Sequence, residues 1–162
     1  MKPALALSSL MLMSSLAACA PKAPDASAAT KATADVKAAV AQLVDGYNTR
    51  NVSEAVGINA PDHVGMGHGF ANVVGPDAEL ASVKAQLADP AMVLAFTDPV
   101  IEASTSGDLA VYRATYHVTY TDPNTRRPAT EIGNWVAVFK RQPDGTMKLS
   151  SEVMSDLPKA AT

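Results

Sequence analysis

The sequence predicts an α+β fold: a strongly curved antiparallel sheet packed against helices that precede it. Three observations carry that prediction. In the second half, three runs with strand-like alternation, residues 111–120, 131–141 and 147–156, are separated by turn chemistry. In the first half, an apolar stripe at helical spacing runs through residues 35–50. Between them, Pro99 interrupts a strand pattern over residues 92–103, as a bend or an edge of a curved sheet requires. A meander with one apolar face must be covered, and the upstream helices are the cover.

Length and charge bound the function. The chain has 162 residues, a formal net charge of −3 and one cysteine. So small an imbalance gives no electrostatic case for nucleic acid or for an anionic membrane surface. A single cysteine excludes an internal disulfide.

From the N-terminus, Met1-Lys2 precedes an apolar run over residues 4–18 that reads as a secretory signal, too short for a spanning helix. It closes on Leu16-Ala17-Ala18-Cys19, which resembles the bacterial lipobox, with Cys19 as the lipidated residue. Plain cleavage after Ala18-Cys19-Ala20 fits a small-x-small pattern as well. Each buried methylene of an acyl chain contributes about 0.8 kcal/mol, so several chains on Cys19 would hold the protein at a membrane. Ala20 after the cysteine, by resemblance to bacterial lipoproteins, implies the outer membrane, facing the periplasm. The expected division is a signal peptide over 1–18, a disordered tether over 19–33 without large apolar residues, and a folded domain over 34–158.

The stripe Val36, Val40, Leu43, Val44 and Tyr47 predicts the first helix, with Thr33 as its N-cap. A short helix follows over 53–58, capped by Ser53. Over residues 62–70, Val64, Met66, His68 and Phe70 alternate with Gly65, Gly67 and Gly69, so the strand is bare on one face, where another element or a ligand can approach closely. Gly75-Pro76-Asp77 opens another helix with proline at its first position and Leu80, Val83 and Leu87 as its buried stripe.

In the strand over 111–120, Tyr112, Ala114, Tyr116, Val118 and Tyr120 share one face, and the other mixes Arg113 and His117 with threonines. Trp135, Ala137 and Phe139 face opposite Val136 and Val138, so both faces of that strand are expected to be covered. Pro143-Asp144-Gly145 predicts a hairpin. In the last strand, strict alternation places Met147, Leu149, Ser151 and Val153 opposite Lys148, Ser150, Glu152 and Met154. Glu152 and Asp156 then read either as a base or as solvated strand-end charges.

For chemistry, His68 shares its face with Met66 and Phe70, and it is either a base or a satisfied, partly buried histidine. His63 and His68 fall on opposite faces of a strand, the only other histidine is His117, and no cysteine or carboxylate cluster accompanies any of the three, so no metal site is expected. No cofactor is expected either.

The motifs Ser106-Gly107-Asp108-Leu109-Ala110, Glu131-Ile132-Gly133-Asn134-Trp135, Phe139-Lys140-Arg141-Gln142-Pro143-Asp144-Gly145 and the closing Ser155-Asp156 resemble the SnoaL-like (DUF4440) group of the NTF2-like, ketosteroid isomerase-like superfamily. Tyr47-Asn48 and Gly75 fit it too. The resemblance implies a cone-shaped barrel, an apolar pocket at its open end and homodimers through the sheet. The pocket residues expected are Tyr47, Met66, Phe70, Tyr112 and Trp135. The catalytic residues of the superfamily transfer poorly. Where ketosteroid isomerase-like members carry a carboxylate base, this chain has Gly67-His68-Gly69, and Leu43 stands at the oxyanion tyrosine's position. The two functions that follow are binding of a small apolar or amphipathic molecule by an envelope-anchored module, and proton-transfer catalysis with His68 as base and Tyr116 or Tyr112 as donor.

Overall fold

The computed structural model describes residues 26–157. The leader, Cys19 and the first part of the expected tether lie outside them. In chain order the elements are α1 (Ala26–Thr49), α2 (Val52–Val56), β1 (Asn59–Gly67), β2 (Val73–Val74), α3 (Gly75–Leu87), β3 (Val93–Ala103), β4 (Leu109–Thr121), β5 (Pro128–Arg141) and β6 (Met147–Asp156). The strands form one six-stranded sheet in the order β2-β1-β6-β5-β4-β3. Among the described residues no helix is long and apolar enough to cross a membrane.

Helix α1 begins at Ala26, so residues 26–33 are helical rather than tether, and Thr33 is no cap: its hydroxyl donates to the Ala29 carbonyl one turn back. Alanine is the strongest helix former, and small side chains also let a helix approach its neighbours closely. Ala32 is fully buried, and Ala28 packs against Gly107 of the β3–β4 turn. The absence of large apolar residues therefore marks close packing here. The predicted stripe is the buried face, with Val36, Val40 and Tyr47 in the core. Arg50 ends the helix in a left-handed conformation (φ 62°). The Asn48 side chain then donates to the Leu94 carbonyl and accepts from the Leu94 amide, both at 3.0 Å, pinning α1 to β3.

Asn51, rather than Ser53, caps α2, accepting from the Glu54 amide. In α3 Pro76 sits in the first turn, and Val83 and Leu87 are buried, but Leu80 is 44 % exposed. Its inner face is instead Glu79, Ser82, Val83, Gln86 and Leu87, also at helical spacing but largely polar.

The sheet is antiparallel from β3 to β6, as expected, and mixed overall. β1 pairs in parallel with β6, a long-range pairing that needs no hairpin, and the other neighbours are antiparallel. The predicted interruption of β3 is a register shift between Thr97 and Val100, with Asp98 at φ 53°. Gly145 (φ 85°) closes the β5–β6 hairpin.

A second shift governs the site. Opposite β5, Phe139 pairs with Leu149 but Val138 pairs with Ser151, so Ser150 is an extra residue in β6. A bulge reverses side-chain parity beyond it. Met147 and Leu149 point into the core, and so, past the bulge, do Glu152 and Met154, while Val153 is exposed.

The core has two parts. One lies between α1 and the inner faces of β4, β5 and β6; the other lies among the end of α1, α2, α3 and the start of β3. Leu43, Phe96 and Val118 pack against both. The outer face of β5 is not covered as expected: Ile132 and Val136 are exposed, and Val153 of β6 is exposed beside them.

Candidate functional site

The cavity lies at the junction of the two cores. It has an interior volume of about 120 Å³ and is walled by Phe96, Trp135, Tyr116, Tyr47 and Leu43, with Met66 and Phe70 towards the open side. Trp135 stacks on Phe96 (ring centroids 4.7 Å apart, planes at 20°), and Tyr112 meets Trp135 at 5.2 Å from behind. These contacts fix the rings and leave one aromatic wall facing inward.

The opposite wall is polar, with Glu79 of α3 and Glu152 of β6 lining it and a histidine of β1 buried behind them. His63 of β1 is fully buried. Its Nε2 lies 3.3 Å from Oε1 of Glu152 on β6, and its Nδ1 lies 3.8 Å from Oε2 of Glu79 on α3. Neither ring nitrogen makes a hydrogen bond among the described residues. The indole Nε1–H of Trp135 donates to Oε2 of Glu152 and so fixes that carboxylate's orientation. Gly65 lies beside this cluster: a Cβ there would stand 3.4 Å from Glu152 Oε1 and 3.6 Å from His63 Cε1, in ordinary contact with both. The bare face of β1 is thus the inner face, and the carboxylate of its neighbour β6 fills the space.

Burial pushes the Glu79 carboxyl above the usual carboxylate range. The charge of Glu152 adds to the rise, and His63 opposes it. Burial likewise raises the Tyr47 phenol, reinforced by Glu152 and Glu79, and Tyr47 donates to Gln86 Oε1 at 3.3 Å. At the far edge, the Tyr116 hydroxyl donates to Glu131 Oε1 at 2.5 Å and lies 3.4 Å from Asp156 Oδ1. Burial and then the Glu131 carboxylate raise its pKa, which keeps the phenol neutral. Among the described residues no lysine or arginine lines the cavity.

The site residues expected from sequence divide cleanly. Tyr47, Met66, Phe70, Trp135 and Tyr116 line the cavity, whereas Tyr112 stands behind Trp135 and lines a shallow groove between α1 and β3. His68 is not among the lining residues. It falls beyond the end of β1, its side chain is 83 % exposed, and its nearest charged partner is Asp156 at 3.9 Å. The glycines on either side of it supply no walls to bury it. The histidine of the site is His63, and its carboxylate neighbours come from α3 and β6, where spacing within β1 could not reveal them.

No family model matches the sequence, and no curated protein does either. Solved structures do match. A ketosteroid isomerase-like protein from Erwinia carotovora atroseptica superimposes with a TM-score of 0.64 at 18% identity, covering 78% of this chain and 97% of that one. An NTF2-like protein with a cystatin-like fold from Novosphingobium aromaticivorans gives 0.67 at 16% identity, over 82% and 86% of the two chains. The fold is NTF2-like. An NTF2-like superfamily protein from Salmonella enterica serovar Typhimurium matches as well, with a TM-score of 0.67 at 11% identity over 82% of this chain and 96% of that one. In this NTF2-like fold the cavity lies between the curved sheet and the helices, with Glu79 and Glu152 at its polar end and His63 buried behind them.

Proposed function

We propose that this domain binds a small, largely apolar molecule carrying one polar group, with its body against Phe96, Trp135 and Tyr116 and its polar group against Glu79 and Glu152. One observation carries the reading: an apolar aromatic cavity whose single polar wall holds two carboxylates backed by a buried imidazole. A volume of about 120 Å³ sets the size of the enclosed part. A dry cavity of roughly 150 Å³ holds benzene, so about one ring fits inside and a larger body would protrude.

The polar wall favours a second reading, proton transfer on the bound molecule. Glu79, which holds its proton to higher pH, is the acid and Glu152 the base, with His63 positioning both from behind. This pair takes the role expected of His68.

Trp135 is the only tryptophan and stands in the wall, so its emission reports occupancy. Titration with cyclohexenone, a neutral single-ring ketone, is expected to shift that emission saturably and to raise the melting temperature. No saturable change with this or other neutral single-ring probes would overturn the binding reading. Binding without exchange of the ketone's α-hydrogens in deuterated buffer would overturn proton transfer alone.

We further propose that the chain belongs to the SnoaL-like (DUF4440) group, on the motifs quoted above, and that Cys19 anchors it as a lipoprotein at the outer membrane, facing the periplasm. The exposed apolar strip of Ile132, Val136 and Val153 supports a homodimer through the outer face of the sheet. Native mass spectrometry of the envelope fraction is expected to find a dimer of chains that begin at an acylated Cys19. An unacylated chain refutes the anchor, and a monomer refutes the interface.

A further inference from the structure

We infer that His63, Glu79 and Glu152 bind a divalent transition-metal cation of the zinc class at the polar end of the cavity. The inference goes beyond ligand binding, since a pocket can take an apolar ring without an ion and an ion without a ring.

It starts from His63. The ring is fully buried, yet neither nitrogen has a hydrogen-bond partner among the described residues. A buried polar atom left unsatisfied is costly and needs an explanation. The nearest polar groups are both carboxylates, at 3.3 Å from Nε2 and 3.8 Å from Nδ1, close enough for ion contact but without hydrogen-bond geometry. One donor atom from each of His63, Glu79 and Glu152 lies within 4.8 Å of the others. Around an ion with bonds of about 2.1 Å, tetrahedral ligands stand roughly 3.4 Å apart, so small side-chain rotations close the set.

Charge and orientation agree with that geometry. Two carboxylates balance a dication, and among the described residues no lysine or arginine lines the cavity to do so instead. The Trp135 indole holds Glu152 Oε2, which leaves Oε1 directed at His63, the kind of outer support that ligating carboxylates have. The donors are nitrogen and oxygen without thiolate, which suits zinc, cobalt(II) or manganese(II) and not copper(I). Glu79 and Glu152 both line the cavity, so a fourth position faces it. Three protein ligands and one open position are the pattern of a catalytic zinc site, in which the ion polarises a carbonyl or activates a water.

The test uses the full chain, stripped with chelator and titrated with zinc and then with cobalt(II), with stoichiometry read by mass spectrometry and cobalt geometry by visible absorption. One equivalent of each is expected, with cobalt bands of low coordination number. Glu79→Gln and Glu152→Gln, which change a charge and little volume, are expected to weaken zinc at least tenfold each, while His68→Ala leaves it unchanged. Failure to bind one equivalent, or binding that both glutamine variants retain, overturns the proposal. Loss of binding in His68→Ala alone also overturns it, because the ion then sits on the surface. A metal-free protein that still shifts its Trp135 emission with cyclohexenone would defeat the ion and leave the ligand reading standing.

Discussion

Replacing Trp135 with alanine is expected to lower the unfolding free energy by about 3–5 kcal/mol, the usual cost of removing a large aromatic side chain from a packed core. Trp135 is 2 % exposed, stacks on Phe96 and touches Tyr112, so its removal leaves a cavity that rings held on neighbouring strands cannot collapse into. The loss has an electrostatic part as well. Without the indole N–H, Glu152 loses the donor that holds Oε2 and is released from the orientation that directs Oε1 at His63. Trp135→Phe separates the two effects: it keeps most of the volume and removes the donor to a carboxylate, so its cost is expected to be about 2 kcal/mol. Urea unfolding followed by circular dichroism measures both, because the variants lack the tryptophan fluorophore. Equal costs for phenylalanine and alanine would show that packing at this wall contributes little. The same pair of variants bears on function, since cyclohexenone binding should survive Trp135→Phe far better than Trp135→Ala.

Why the pocket's apolar wall was legible in the sequence and its polar wall was not comes down to parity. Tyr116 and Trp135 lie in regular alternation on long strands, so their face follows from counting residues. Glu152 lies two residues beyond the extra residue Ser150, and nothing in Leu149-Ser150-Ser151-Glu152 distinguishes a bulge from plain alternation. Strict counting therefore placed Glu152 with Lys148, on the wrong face. Glu79 was hidden differently. Apolar residues alone point to Leu80 on α3, but the face towards a cavity can be polar, and Glu79, Ser82 and Gln86 have the same helical spacing. His63 and His68 were compared with each other because they are near in sequence. Glu152 is brought to His63 by the parallel pairing of β1 with β6 and Glu79 by the packing of α3, neither of which local pattern encodes. The alanine-rich start of α1 was misread for a related reason: its burial depends on the β3–β4 turn packed against it, not on its own hydrophobicity.

That same end of α1 supplies the other large effect. Arg141, at the end of β5, donates from Nε to the Gly107 carbonyl at 2.7 Å, and from Nη1 to Asp35 Oδ2 at 2.9 Å and the Gly145 carbonyl at 2.8 Å. One guanidinium thus ties the helix to both turns that flank β4 and β5 at this end. Arg141→Met keeps the aliphatic stem but removes all three bonds, and it is expected to cost about 2–4 kcal/mol, since bonds to charged groups contribute more than neutral ones. The pH dependence identifies the ion-pair share. A hydrogen bond from Lys31 holds Asp35 below the usual carboxylate range; burial opposes this, and Arg141 lowers the value further. A carboxyl depressed in the folded state stabilises above its unfolded pKa, and that contribution is lost as pH falls through the folded value. The stability difference between wild type and Asp35→Asn should therefore be full at neutral pH and shrink below about pH 4, where Asp35 takes up its proton and comes to resemble the amide. Unfolding midpoints across that range decide the point: a difference that stays constant into acid would mean that Asp35 acts through shape alone, and that Arg141 docks the helix through the two carbonyls.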